Sequence, residues 1–397
     1  MLHQKRLLVA ARVQHYWHLG RFWSYTPYVR ELDQWADLFA TVTIAGSLKF
    51  GPPPGDCSAF SRDNVRVVSI PEAGGEGWFA KLRQLYILPK ILWKLAACMR
   101  NADAIHARCP CDLGLLGVLL GPMFSRNLIA KYATQWPDYP GEPFTWRLQK
   151  RLLKSPWWRG PVTVYGQWPG QPSRVIPFFT SMLTEEQIAR ARAAASRSRD
   201  PSRFRVLFVG RLSASKNVDV LLQAVAALKS GREVSCVIVG EGPQRAVLEG
   251  LAGSLGISTQ VRFTGGLGFD DVLGWYERSD VLVLASGIEG WPKAVAEAMA
   301  FGCVCVGSER GMMPQMLGEG RGLLVTPRDP KALTRALQWI ADHPEAAADM
   351  AARAAAWAQR YSLNGLREAL RRLMLDSWNL EERAAQLPLK PREVINK

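Results

Sequence analysis

A two-domain α/β protein with a doubly wound parallel sheet in each domain is the fold class this sequence predicts. Three observations carry it. The chain has 397 residues, more than a typical single domain. Between residues 204 and 308 short apolar runs alternate with segments whose apolar residues recur every three or four positions. A looser alternation of the same kind begins at residue 6, and a polar stretch rich in alanine and arginine at 183–203, "LTEEQIARARAAASRSRDPSR", separates the two.

In the first half, "RLLVAARV" at 6–13 reads as the opening strand. "DAIHA" and "NLIAKYA" read as short buried strands on either side of a helical "CDLGLLGVLLG". Strand–helix–strand units of this kind build parallel sheets. The pattern fades over 137–175, where Pro, Trp and Gly cluster, and returns once as "SRVIPFF". The stretch at 183–203 reads as a helix running into a linker.

From 204 the order is clear: "FRVLFVG" strand, "NVDVLLQAVAALKSG" helix, "EVSCVIVG" strand, "GPQRAVLEGLAGSLG" helix and "QVRFTG" strand. "FDDVLGWYERS" helix, "DVLVLAS" strand, "PKAVAEAMAFG" helix and "VCVGS" strand follow. The strands are continuous apolar runs, as expected where helices cover both faces of the sheet. The predicted domains are 1–190 and 204–360. Helices rich in Ala and Arg close the chain at 331–386, and the last segment, about 361–397, is expected to pack back on the first domain.

Ligands of such sheets sit at the carboxyl ends of the strands. After "FRVLFVG" comes "GRLSASK", where Gly210 permits a tight turn and Arg211 and Lys216 leave the strand end together. Two cations before a helix start form a phosphate site, or else a solvated loop. At the corresponding end of "DVLVLAS" lies "SGIEGWPKAVAEAMAFG". Pro292 suits the first helical turn. The amides of Gly290, Trp291, Lys293 and Ala294 would then offer free N–H groups to an anion. Glu289 falls in the loop before that helix and Glu297 one to two turns inside it. Two carboxylates so placed can hold the hydroxyls of sugars; the alternative is a loop acid and an ordinary surface helix acid.

These residues lie in an ordered set of motifs: "FVGRLSASKNVDVLLQAVAAL", "VIVGEGPQRAVLEGLA", "VRFTGG", "SDVLVLASGIEGWPKAVAEAMAFG" and "RGLLVTPRDPKALTRAL". Together they closely resemble family 4 of the retaining glycosyltransferases (glycosyl transferases group 1). The resemblance is strong over about 204–340 and continues more weakly over 1–180. It implies the GT-B architecture, two Rossmann-like domains facing a central cleft, with a nucleotide-sugar donor (UDP- or GDP-linked) on the second domain and the acceptor on the first. By the resemblance, Arg211 and Lys216 hold the diphosphate and stabilise the leaving group. Glu297 holds the ribose hydroxyls, Glu289 contacts the donor sugar, and the amides after it contact sugar and phosphate. Cationic stabilisation of a departing diphosphate is a large electrostatic effect. No two aspartates stand at i and i+2, so the metal-binding Asp-x-Asp of the other main glycosyltransferase fold is missing. No metal or cofactor is expected, the nucleotide-sugar being a substrate.

The family's glycine-rich loop after the first strand corresponds here to "QHYWHLGRFWSYTPYVREL", which holds one glycine, Gly20, in place of the usual pair. A family histidine near the reacting centre corresponds to His106. Many members carry a second histidine two positions on, where this chain has Arg108, so either position can face the donor. The segment "VIPFFTSML" lacks the Asn-Gly turn common in the family. The resemblance implies transfer with retained anomeric configuration. A nucleotide-sugar epimerase of the same fold and a non-catalytic sugar-nucleotide-binding protein are the alternatives. "VGEGPQ" is not a dinucleotide fingerprint, which argues against an oxidoreductase.

Lysine and arginine exceed aspartate and glutamate by 50 − 35 = 15, which favours anionic partners. In "FTWRLQKRLLKSPWWRG" at 144–160, Arg147, Lys150, Arg151 and Lys154 share a helical face, with Leu148 and Leu152 turned away and Trp146, Trp157 and Trp158 alongside. In "KLRQLYILPKILWKLAACMR" at 81–100, Arg83, Lys90 and Lys94 share another, although Pro89 is a potential break. Basic stripes beside aromatics fit an anionic membrane surface and a lipid-linked or other saccharide acceptor, as in polysaccharide or glycolipid synthesis. The alternative is a solvated face over a packed core. No nucleic-acid-binding motif accompanies the charge. The seven cysteines lack metal-ligand spacing, and Cys303 and Cys305 lie in a strand-like run. They read as buried reduced thiols and, with no leader-like or membrane-spanning segment read, give an expected cytoplasmic location, peripheral to the inner face of the membrane.

Overall fold

The computed structural model describes residues 2–71 and 78–380. Side chains are described from residue 86 onward in the helix Trp78–Arg100.

The first domain is built on a parallel run of seven strands. Their order is Val65–Ser69, Thr41–Phe50, Arg6–His18, Ala104–Cys109, Asn127–Tyr132, Val162–Tyr165 and Val175–Phe178. The first strand runs five residues past the predicted 6–13. Its far end pairs antiparallel with Arg21–Tyr25, which pairs in turn with Cys57–Ala59. Two helices, Thr26–Ala36 and Leu363–Ser377, pack on one face of this sheet through Leu32, Trp35, Leu366 and Leu370. Trp78–Arg100 and Asp112–Phe124 cover the other face. The glycines of "DLGLLGVLLG" let the second of these sit directly on the strands. A Cβ at Gly117 would lie 3.2 Å from Ala10 Cβ and 3.3 Å from Ala107 Cβ, and one at Gly114 would meet the Arg108 carbonyl at 2.4 Å. Pro89 is accommodated within Trp78–Arg100 without ending it.

The second domain is a six-stranded all-parallel sheet. Its order is Val261–Gly265, Glu233–Val239, Arg203–Val209, Val281–Leu284, Val304–Ser308 and Leu323–Val325. Chain order reverses at Arg203–Val209 and Val281–Leu284, which places the switch point of the sheet, where ligands bind, between their carboxyl ends. The helix Glu185–Ala195, closed at its start by a reciprocal cap between Thr184 and Gln187, buries Ile188, Ala191 and Ala194 in this second core. It therefore belongs to the second domain, although the sequence reading placed its first half in the first. Leu363–Ser377 crosses back to the first domain. There Arg367 pairs with Asp37 at 2.9 Å, and the Trp378 indole N–H donates to the Leu128 carbonyl at 3.0 Å. The expected tail beyond residue 380 lies outside the described residues.

Candidate functional site

Two loops leave the switch point and are tied to each other. In 210–217, Asn217 adopts the left-handed conformation (φ 49°), and its side-chain amide donates to the Ala285 carbonyl at 2.8 Å. The Gly287 amide donates to the Ser215 carbonyl at 2.9 Å. Lys216 Nζ reaches Glu289 Oε1 at 2.5 Å, and the carboxylate is almost fully buried. Arg211 is exposed on the same loop as Lys216.

The helix Lys293–Ala300 starts at the end of the second loop, with Pro292 as an N-cap that makes no side-chain cap. The amides of Gly290, Trp291, Lys293 and Ala294 donate to no backbone carbonyl among the described residues. This leaves a helix N-terminus able to receive an anion. One turn in, buried Glu297 accepts a hydrogen bond from the Tyr276 hydroxyl at 2.9 Å. Burial pushes the Glu297 carboxyl up, while the Tyr276 hydroxyl, Lys293 and Arg30 pull it back. Arg211, Lys216, Glu289, Pro292 and Glu297 thus stand on one edge of one sheet, with Gly210 at the turn out of Arg203–Val209. The Trp291 ring packs into a hinge of Tyr165, Phe179, Trp357 and Tyr361, at centroid distances of 5.5–6.5 Å. Only its backbone faces the helix start.

The first domain meets this edge closely. A Cβ on Gly290 would lie 3.0 Å from Thr134 Cα and 3.1 Å from the Tyr165 ring. Gln167 and Gln315 exchange two hydrogen bonds across the domains, at 2.8 and 2.9 Å. Tyr25, half exposed at the start of Thr26–Ala36, has its hydroxyl pushed up by burial and by the fields of Asp56 and Glu297, against the Arg211 guanidinium.

Two sequence expectations need correction. His106 is fully buried, with its ring stacked on Trp35 at 4.4 Å and neither ring nitrogen hydrogen-bonded. Burial, with Arg108 nearby, pushes it down to about 3. It is a neutral core residue. Arg108, two residues nearer the strand end, reaches the buried Glu31 carboxylate at 2.9 Å, and Lys131 reaches the same oxygen at 2.8 Å. Burial raises the Glu31 carboxyl, but Arg108 and Lys131 outweigh it and hold it well below the usual carboxylate range. Gly20 closes a β-hairpin turn (φ 72°) with exposed Leu19, so no phosphate loop forms there: the strand simply continues and folds back.

Sequence reasoning missed Tyr25, Glu31, Lys131, Asn217 and Tyr276. Glu31 and Tyr276 sit in unremarkable helical patterns, and their roles come from partners far along the chain. Among the described residues no three or more His, Cys, Asp or Glu side chains form a group that can hold a metal ion. All seven cysteines are free thiols, with Cys109, Cys236, Cys303 and Cys305 buried.

Residues 190–357 match the family model described as glycosyl transferases group 1. Among curated proteins, a D-inositol 3-phosphate glycosyltransferase of Streptomyces scabiei is 37% identical over 167 residues, which cover 39% of this chain and 37% of that protein. The match therefore spans well under half of either chain. Among solved structures, sucrose-phosphate synthase from Thermosynechococcus elongatus superposes with a TM-score of 0.69 at 20% identity, covering 95% of this chain and 100% of that one. Anabaena HepE, solved with UDP and with UDP-glucose, superposes with a TM-score of 0.67 at 16% identity, covering 94% and 100%. The chain has the GT-B fold of these structures, and the segment of its second domain that matches the group 1 model contains Gly210, Arg211, Lys216, Glu289, Pro292 and Glu297.

Proposed function

We propose that the chain is a retaining, metal-independent glycosyltransferase that moves a sugar from a UDP- or GDP-sugar to a saccharide or lipid-linked acceptor in cell-surface polysaccharide or glycolipid synthesis. The observation that carries the reading is the convergence of Arg211, Lys216, Glu289, an uncapped helix start and Glu297 on one sheet edge inside the group 1 segment. The helix start and the two cations would take the diphosphate, whose charge grows as the sugar leaves. Lys216 would exchange Glu289 for phosphate oxygens and free that carboxylate for sugar hydroxyls. Glu297, already oriented by Tyr276, would accept the ribose hydroxyls. In this reading neither acid forms a covalent sugar intermediate, unlike the nucleophile of retaining hydrolases. The relatives' names and the UDP ligands of HepE support a nucleotide-sugar donor.

A thermal-shift panel of UDP, GDP, ADP, CMP and NAD, with and without EDTA, on wild type and Arg211→Ala tests the reading. A shift with one nucleoside diphosphate, insensitive to EDTA and lost in the variant, is expected. No shift with any diphosphate would favour the non-catalytic reading. A bound diphosphate with sugar inverted at a ring carbon and no transfer would favour the epimerase.

The same reading places the protein on an anionic membrane surface, on the cytoplasmic side. No described helix is long and apolar enough to cross a membrane. One face of the first domain, formed by Trp78–Arg100, Asp112–Phe124 and Phe144–Lys154, exposes Tyr86, Trp93, Met123, Phe144 and Trp157. Lys90, Arg126, Arg147, Arg151 and Arg159 are exposed beside them. Aromatic rings among cations suit the interface of anionic lipids. Lys150 leaves the predicted basic face: it is buried between Asp138, at 2.8 Å, and Glu142, at 2.6 Å. Trp158 is fully buried and Lys94 is tied to the Ser69 carbonyl, while the Arg83 side chain lies outside the described residues. Co-sedimentation with phosphatidylglycerol vesicles at low salt is expected, lost at high salt; no binding at low salt would end the membrane reading.

A further inference from the structure

The cleft wall of the first domain carries more buried positive charge than its own acids balance. Arg108 and Lys131 share the single Glu31 carboxylate, and Lys293 faces them from the helix start of the second domain, its ammonium 3.5 Å from the Pro27 carbonyl. That is three cations against one acid. Adding Glu297 and Arg30, which feel each other's field, keeps the excess at two. Lys131 is 5% exposed and its ammonium, with three N–H donors, gives one to Glu31 and lies 5.3 Å from the Tyr165 ring centroid. The Arg108 guanidinium gives two of its five donors to Glu31 and lies over the Tyr28 ring, whose buried hydroxyl has no hydrogen-bond partner. Buried charges are ordinarily matched, because an unmatched charge away from water is strongly unfavourable. Arg211, Lys216 and the open amides already answer the donor diphosphate.

We propose that Arg108, Lys131 and Lys293 form a second anion site, which receives a carboxylate or phosphate carried by the transferred sugar or by the acceptor. This deepens the transferase reading and rests on it. All three residues stand where the two domains meet: Arg108 and Lys131 are on the adjacent strands Ala104–Cys109 and Asn127–Tyr132, near their carboxyl ends, and Lys293 opens the helix that follows Gly290. Gly290 itself packs on Thr134, three residues after Lys131. An anionic oxygen entering between them would accept from donors now unused and bring the local charge toward balance. Burial, partly offset by Glu31, pushes the Lys293 ammonium down to about 8, in keeping with a cation short of anionic partners.

Calorimetry on the full chain tests this. It uses UDP or GDP, whichever binds, and compares the nucleotide-sugar carrying an uncharged sugar (UDP-glucose or GDP-mannose) with its uronate counterpart (UDP-glucuronate or GDP-mannuronate). A second arm compares glucose with glucose 6-phosphate and glucuronate in the presence of the nucleotide. In one arm the ligand with the additional anionic group should bind at least about tenfold more tightly than the one without it, the scale of one charged hydrogen bond. The arm that responds shows whether donor or acceptor carries the anion. Arg108→Gln should abolish that preference and leave affinity for the bare nucleotide unchanged. Lys293→Gln, partly exposed at a helix start, is the second variant should Arg108→Gln fail to fold, and it should reduce the preference. Nucleotide binding with no preference for anionic ligands in either arm overturns this proposal alone. Failure of every nucleotide to bind overturns the transferase reading, and this proposal with it.

Discussion

Replacing Glu31 by glutamine should destabilise the first domain more than any single surface change. The carboxylate is 1% exposed and is the shared acceptor of Arg108, at 2.9 Å, and Lys131, at 2.8 Å, both also largely buried. Removing one partner of a buried ion pair costs about 3–5 kcal/mol, because the remaining charge is left uncompensated. The glutamine carbonyl can still accept one of the two bonds, which argues for the lower end, about 3 kcal/mol. For a domain of this size each kcal/mol moves Tm by about 2–4 °C, so a fall of about 6–12 °C is expected by scanning calorimetry near neutral pH. The pH dependence gives an independent arm. The folded carboxyl of Glu31 is held well below its ordinary value, so its stabilisation is fully present above the unfolded value, about 4.3, and is lost as pH falls through the depressed one. The Tm gap between wild type and Glu31→Gln should therefore be widest near neutrality and close only in strong acid. Adding Lys131→Gln should restore part of the loss, since it removes one of the stranded cations. A fall of under about 2 °C in Glu31→Gln near neutral pH would refute the claim that this cluster is a buried unit held together by the Glu31 carboxylate.

Tyr276→Phe removes the hydroxyl that helps keep Glu297 ionised against burial. The Glu297 carboxyl should rise further, and the acid limb of a nucleoside-diphosphate binding profile should move to higher pH; an unmoved limb would mean Glu297 is not used as an anion. Asn217→Ala gives up the bond to the Ala285 carbonyl and puts alanine where asparagine tolerates the left-handed region better, for a loss of roughly 1–3 kcal/mol in chemical denaturation and weaker diphosphate binding. Gly290→Ala would push a Cβ to within 3.0 Å of Thr134 Cα, so the loop must move away from the first domain; weaker nucleotide-sugar binding with nearly unchanged Tm is expected from calorimetry.

Legibility in the sequence followed the range of the interactions concerned. In the second domain the strands are mostly apolar runs, and Arg211, Lys216 and Glu289 lie in the loops that follow two of them, so the strand-end rule pointed to one edge, while the family resemblance, not spacing alone, singled out Glu289 and Glu297 together. The first domain hid more. Its opening strand continues through "QHYWH", whose polar residues break the apolar run although they still pair, and Gly20 serves the resulting hairpin. A short strand at 162–165 lies within the Pro- and Trp-rich stretch that showed no period, while its neighbour at 175–178 falls in "SRVIPFF", where the pattern returned. His106 and Arg108 share one face of one strand, so alternation could not choose between them. The choice is made by Trp35, which covers the inner of the two from another element. Lys150 shows the same limit on a helix: its charge assigned it to the outer face, yet Asp138 and Glu142 in the preceding loop neutralise it inside. Glu31 meets Arg108 across 77 residues and Lys131 across 100, so no spacing rule in the chain marks the cluster. What the sequence could show there was a sum, an excess of cations. The fold decides that part of that excess is buried at the cleft rather than spread over the surface, and a buried excess of charge demands a ligand in a way that a solvated one does not.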